Sequence, residues 1–254
     1  MRTKIIWHGT ASVELISESG RILFDPFIPL KGSPVPVIIE DFDGFTDIFV
    51  THGHFDHIIS LPEIVQRNPK TLIHCTKTPY RTLVRKGVDL RNLHLLHYGD
   101  KLAVNGFQIS VLHGKHAILP KATLNRLVYI LIHPARGNIP FILRENRVAV
   151  ENDETVFYKI EANEKTICLM GSMNLRDEVV YPVEADLLIL PYNGWEDNFP
   201  PAVRAIERLR PKRVLLDHYD DTFPPLTMPL DLEPILGKYK GKVMAMRLGE
   251  VEEV

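Results

Sequence analysis

No apolar run in the sequence reaches the roughly 18 residues that a membrane-spanning helix needs. Nor does the start carry the apolar core of a secretory signal: after Arg2, Lys4 and "IIW" the chain turns at once to His8, Gly9 and Thr10. Neither charge sign is in excess. Thirty Lys and Arg against 32 Asp and Glu leave a net charge of −2, which argues against a general electrostatic grip on nucleic acid or anionic membrane and leaves room only for a local basic patch. Cysteine is scarce. Cys75 and Cys168 each sit inside a strand-like apolar run, "TLIHC" and "TICLM", which fits buried free thiols in a reducing compartment and predicts a cytoplasmic location.

What is present reads as an ordinary globular chain. With 254 residues, 45% hydrophobic and 24% charged, residues 1–254 can share one core as a single domain or form two fused half-domains, with homo-oligomer formation left open. Short strand-like runs open it, "TKIIW", "SVELIS" and "RILFD", followed by the proline-rich loop "PFIPLKGSPVP". Thereafter strands alternate with helices: strand "DIFVTH", a helix beginning near Ser60, strand "TLIHC", a helix over 79–87, then strand "FQISVL". The second half predicts a hairpin, "TVFYKIE" with "KTICLM", a strand "ADLLIL" buried on both faces, a helix in "PPAVRAIERLRP" and strand "RVLLD". The fold class is α/β (α+β). Residues 119–152 fit less well: "TLNRLVYILIHPARG" has a helical apolar face, "NIPFILRENRVAVEN" could be strand or loop, and the segment reads as an elaboration packed near the site.

Eleven histidines are unevenly placed, and "THGHFDHI" concentrates His52, His54, Asp56 and His57 at the end of an apolar strand. Alternate residues His52 and His54 can project the same way, while Asp56 and His57 begin the next turn. Imidazole and carboxylate are the donors expected for zinc, and they also suit manganese or iron. Four such groups in six residues need a common partner to offset their desolvation. His113, His116 and His218 also stand at strand ends, where α/β proteins assemble sites. His8 ends a strand but precedes a Gly-Thr turn, so it either lines the pocket or caps the turn. His74 reads as a hydrogen-bonded core residue, His94 and His97 as surface residues, and His133 as a packing or substrate-contacting residue.

With these residues assembled, the chain resembles the metallo-β-lactamase-fold hydrolases, in particular the branch that includes the ascorbate-6-phosphate lactonase and the N-acyl-phosphatidylethanolamine phospholipase D. "WHGTASVEL", "ILFDPF", the HxHxDH signature "THGHFDH", "VLHGKHA", "LLILP" and "LLDHYDDTFPP" occur in the family's order. The resemblance implies a four-layer αββα sandwich with the site on one edge. It implies one metal site from His52, His54 and a third histidine, preferably His116 but with His113 open, and a second from Asp56, His57 and His218. It also implies a metal-dependent hydrolase acting on an ester, lactone, amide or phosphoester of a small molecule through a metal-bound hydroxide, with Asp56 as the catalytic carboxylate that orients the water or takes its proton. Asp25 would stand behind the ligands or form a turn. One departure matters: the family's bridging aspartate is replaced in "GSMN" by Ser172, so one ion or two are both open, with Asp177 and Glu178 as possible substitutes. A non-catalytic metal-binding protein and a nuclease of the same fold are the rivals. The nuclease reading rests on Lys121, Arg126, Arg136, Arg144 and Arg147.

Overall fold

The computed structural model describes residues 2–117, 123–193, 198–228 and 230–254. The first half builds one sheet from β1 (Lys4–Trp7), β2 (Val13–Ser17), β3 (Gly20–Phe24), β4 (Asp47–Phe49), β5 (Leu72–Cys75) and β6 (Leu93–Leu95). The second half builds the other from β7 (Lys101–Val104), β8 (Phe107–His113), β9 (Val156–Ala162), β10 (Lys165–Met170), β11 (Leu187–Pro191), β12 (Arg213–Asp217) and β13 (Val243–Ala245). Strand β14 (Val251–Glu253) returns to the first sheet beside β1, giving the orders β14-β1-β2-β3-β4-β5-β6 and β13-β12-β11-β10-β9-β8-β7. The hairpin-connected strands pair antiparallel, as do β8 with β9 and β1 with β14 across longer connections, while β3 to β6 and β10 to β13 pair parallel.

Helices α1 (Phe55–Ile58), α2 (Leu61–Arg67) and α3 (Lys77–Arg85) cover the first sheet, and α6 (Phe199–Leu209) and α7 (Glu233–Lys238) the second. Between β8 and β9 lie α4 (Leu124–Ile132) and α5 (Ile139–Asn146). The strand alternation sorts the core into layers. Ile22 and Phe24 face the space between the sheets with Ile109, Tyr158 and Ile189, while Leu23 points outward to Ile58, Leu61 and Leu83. On the other sheet Leu187 and Ile189 face inward, and Leu188 and Leu190 face Ala202 and Ile206 of α6. The continuous run "LLIL" is therefore buried on both faces, and the four layers are helix, sheet, sheet, helix.

Several local expectations change. "NIPFILREN", which could be strand or loop by sequence, is helix α5: Pro140 sits in its first turn and Ile142 anchors it in the core under the first sheet. Ser60 precedes α2 without capping it, because its hydroxyl accepts the Ile28 N–H at 2.9 Å instead. His94 is not a surface residue but lies half-buried in edge strand β6, its ring nitrogen 2.9 Å from His74, whose other nitrogen meets Asp47 at 2.8 Å. His97 is exposed. Cys75 and Cys168 are both free and buried. No helix among the described residues is long and apolar enough to cross a membrane.

Candidate metal centre

The site forms where strand ends from both sheets meet. β4 runs through Val50 into Thr51 and His52, β10 delivers Gly171 and Ser172, and β12 delivers His218. Backbone bonds lock these ends together: the Val156 N–H donates to Thr51 at 2.8 Å, Gly171 to Val156 at 3.0 Å, and His218 to Thr10 at 2.8 Å. Gly53 leaves room for the chain that crosses over the motif, since a Cβ there would stand 2.2 Å from the Val150 carbonyl oxygen. The glycine inside H-G-H is thus fixed by tertiary approach.

Two trios of donors result. The donor atoms of His52, His54 and His116 lie within 4.8 Å of one another, and so do those of Asp56, His57 and His218. In the first, His52 Nε2 faces His54 Nδ1 at 3.1 Å, and the His116 ring centroid is 5.0 Å and 4.6 Å from those of His52 and His54. In the second, Asp56 Oδ2 is 3.2 Å from His218 Nε2 and 3.6 Å from His57 Nε2. His218 reaches this place from a left-handed backbone conformation, φ 59°, and its Nδ1 is buried with no hydrogen-bond partner among the described residues. Close nitrogen pairs of this kind, nitrogen facing nitrogen at the floor of a cavity, fit a divalent cation of borderline softness.

Asp25 organises the trios from behind. Its two carboxylate oxygens accept the Thr51 N–H at 2.8 Å, the Thr51 hydroxyl at 2.6 Å and the His57 Nδ1–H at 2.8 Å, and Thr51 Oγ1 also lies 3.0 Å from His52 Nδ1. With Nδ1 held, His57 presents Nε2 to the cavity. The titration behaviour divides the trios. Burial lowers the His52 imidazole well below its ordinary value, takes His54 down to about 4 and lowers His116 as well, so the first trio is neutral at pH 7. Burial also opposes charge on His57, but the carboxylates of Asp25 and Asp56 outweigh it and raise the ring to about 9. Burial likewise opposes ionisation of Asp56, and the His57 charge with the His218 hydrogen bond holds it below the usual carboxylate range.

The trios floor a cavity of about 330 Å³ that is walled by Phe55, Val150, Phe223 and Leu226 and carries Asn146, Glu151, Asn193 and Thr227 as polar groups. Ser172 lines it too, but its hydroxyl accepts the Ala117 N–H at 2.9 Å and so fixes the turn that carries His116. The other expected residues lie elsewhere. His113 stacks on Tyr98 at 3.9 Å and bonds the Asp153 carbonyl at 2.9 Å, outside the trios. His8 pairs with Glu14 at 3.0 Å, and His133 caps the turn at Ala135; neither lines the cavity. Asp177 and Glu178 are on the surface with Arg208 and Arg176, so they do not replace the missing acid. Arg126, Arg136, Arg144 and Arg147 do not line the cavity, and Lys121 lies outside the described residues. Thr51 and Glu151 were not singled out by sequence. Thr51 could have been, as the residue that joins the strand to H-x-H; Glu151 carries no local signal.

Known proteins give the same frame. The chain matches a metal-dependent hydrolase of Bacillus subtilis, YtkL, at 25% identity over 99% of its own length and 100% of that relative. It matches one from Thermococcus kodakarensis at 25% identity, over 94% of this chain and 95% of that one. A more similar stretch, 38% identical to a metal-dependent hydrolase of Desulfitobacterium hafniense, spans only 41% of this chain and 42% of that protein. Among solved structures, a metallo hydrolase of Ignicoccus hospitalis superposes with a TM-score of 0.65 at 18% identity, covering 100% of this chain and 99% of that one. An isothiocyanate hydrolase from Delia radicum gut bacteria superposes at 0.64 and 17% identity, over 98% of both chains. The pattern that defines the β-lactamase superfamily domain matches residues 20–219, and with most of its length so matched this chain belongs to that superfamily.

Proposed function

We propose that this chain is a metal-dependent hydrolase of a neutral, carbonyl-containing small molecule, an ester, lactone or amide, with metal held by His52, His54 and His116 and by Asp56, His57 and His218. The observation that carries the reading is the pair of three-donor groups side by side on a cavity floor. Such a metal supplies Lewis acidity and lowers the pKa of a water it binds to about 7. The chain's own residues supply the rest. Asp56 is ionised, hydrogen-bonded to His218 and open to the cavity, so it can accept a hydrogen bond from a water and orient it. Asp25 holds His57 in one tautomer. The apolar walls keep bulk water from the reacting carbonyl, and the buried Asn193 Oδ1, which has no partner among the described residues, can accept a hydrogen bond from a substrate N–H or O–H. No Lys or Arg lines the described cavity, which favours a neutral acyl group over a phosphoester and disfavours the nuclease reading. The test is a panel of esters, lactones, amides, isothiocyanates and phosphodiesters with zinc, manganese or iron, before and after chelation. Turnover of a neutral acyl compound that chelation abolishes is expected; activity indifferent to chelator would sink the proposal.

Proton release should differ between the two trios. Metal entering the trio with His57 displaces the proton that this ring holds up to about pH 9, so near neutrality it releases close to one proton per ion. Metal entering the lowered, already neutral His52, His54 and His116 releases few. Calorimetric titration in buffers of different ionisation enthalpy reads both numbers, and equal release at the two steps contradicts the assignment.

Ser172 acts on the first trio through Ala117 rather than as a donor to metal. Ser172→Ala is expected to weaken metal binding there by about 10- to 100-fold while leaving the second trio's affinity unchanged, read by chelator competition. Unaltered affinity would remove Ser172 from this role.

A further inference from the structure

Helix α4 is inverted relative to an ordinary surface helix. Its buried residue is Arg126, whose guanidinium meets the Leu226 carbonyl and the Met228 sulfur. Its exposed large hydrophobic residues are Leu124, Leu127, Val128, Leu131 and Ile132, between 47% and 76% accessible. They recur at the i, i+3, i+4, i+7, i+8 spacing of one continuous stripe. Thr123 caps the helix through the Arg126 N–H at 3.2 Å, so the stripe belongs to a properly initiated helix. A contiguous apolar face of this kind marks a surface meant to be covered.

The charge of the sequence segment that carries it indicates the cover. From Lys101 to Arg144 the sequence contains no Asp or Glu, although the chain as a whole has a net charge of −2. Arg136 and Arg147 are exposed and have no ionic partner among the described residues. We propose that α4 docks on an anionic lipid bilayer, with the leucine stripe entering the boundary below the headgroups and Arg136 and Arg147 meeting lipid phosphates. A second copy of the chain fits less well. A nine-residue helix about 13 Å long and 10 Å wide offers a face of only about 130 Å², far below the roughly 800 Å² that each partner of a stable complex buries, and pairing α4 with itself would bring two acid-free, basic segments together. Leu226, which receives Arg126, also lines the cavity, so the docking helix and the candidate metal centre share a wall.

The proposal does not depend on the reaction. Full-length protein is sedimented with vesicles of phosphatidylglycerol and phosphatidylcholine in equal parts, and with phosphatidylcholine alone. Binding to the anionic vesicles is expected, weakened severalfold between about 0.05 and 0.5 M salt, with little binding to phosphatidylcholine. The double variant Leu127→Ser with Leu131→Ser, both exposed and compatible with an unchanged Tm, should lose at least tenfold in bound fraction, and Arg136→Ala with Arg147→Ala should erase the anionic preference. No binding to anionic vesicles, or binding that survives the leucine variants, overturns the proposal. So does a solution dimer that the leucine variants convert to monomer, which would assign the stripe to a second copy.

Discussion

Replacing Asp56 with alanine should lower kcat/KM by about 10³-fold on any neutral acyl substrate the protein turns over, near 4 kcal/mol of transition-state stabilisation. The carboxylate is buried, yet the charge of His57 and the bond from His218 keep it ionised, a state burial alone would forbid. An ionised, partly constrained acceptor facing a cavity is what orienting a water requires. Measuring metal content together with rate separates its two possible duties. Loss of rate with both ions retained assigns water orientation to Asp56, while loss of the second ion assigns it to holding metal. A variant with full activity and full metal content would leave Asp56 without a role.

Asp25→Ala is the second substitution with a large expected effect. It removes the acceptor of the Thr51 N–H, the Thr51 hydroxyl and the His57 Nδ1–H at once, all of them buried. Stranding these donors should cost about 3–5 kcal/mol, lowering Tm by roughly 10 °C for a chain of this size. Metal affinity at the second trio should fall by about 10- to 100-fold, because His57 is no longer held in one tautomer and orientation. Asp25→Asn, which keeps an oxygen toward Thr51, should recover part of the stability and less of the affinity. Equal recovery of both would mean that Asp25 serves the fold alone.

The parts of the site legible in the sequence are those whose geometry is local. "THGHFDH" follows directly on a strand, so backbone alternation and one helical turn fix the directions of His52, His54, Asp56 and His57 within a few residues. The continuous run "LLIL" was legible for a similar reason, since burial on both faces leaves no polar period. Choosing between His113 and His116 is beyond ligand chemistry, because both stand at the end of the same strand, three residues apart. Tyr98 and the Asp153 carbonyl, distant in sequence, take up His113 and leave His116 beside His52 and His54. The duty of Ser172 depends on its meeting Ala117 across 55 residues, and the place of Glu151 at the cavity depends on how the segment after α5 crosses the Gly53 gap. Helix α5 hid for the opposite reason: its apolar residues are mixed with Pro140, Arg144 and Asn146, and only the seating of Ile142 in the core shows why it is helical.

The central claim is that the two trios hold metal. Protein saturated with zinc, crystallised and measured by anomalous scattering on either side of the zinc edge, tests it most directly. The account predicts one peak within bonding distance of His52, His54 and His116 and a second, more readily stripped by chelator, at Asp56, His57 and His218, with Ser172 bonded to neither. Peaks absent from both trios in zinc-saturated crystals, or zinc held by other side chains, would contradict it.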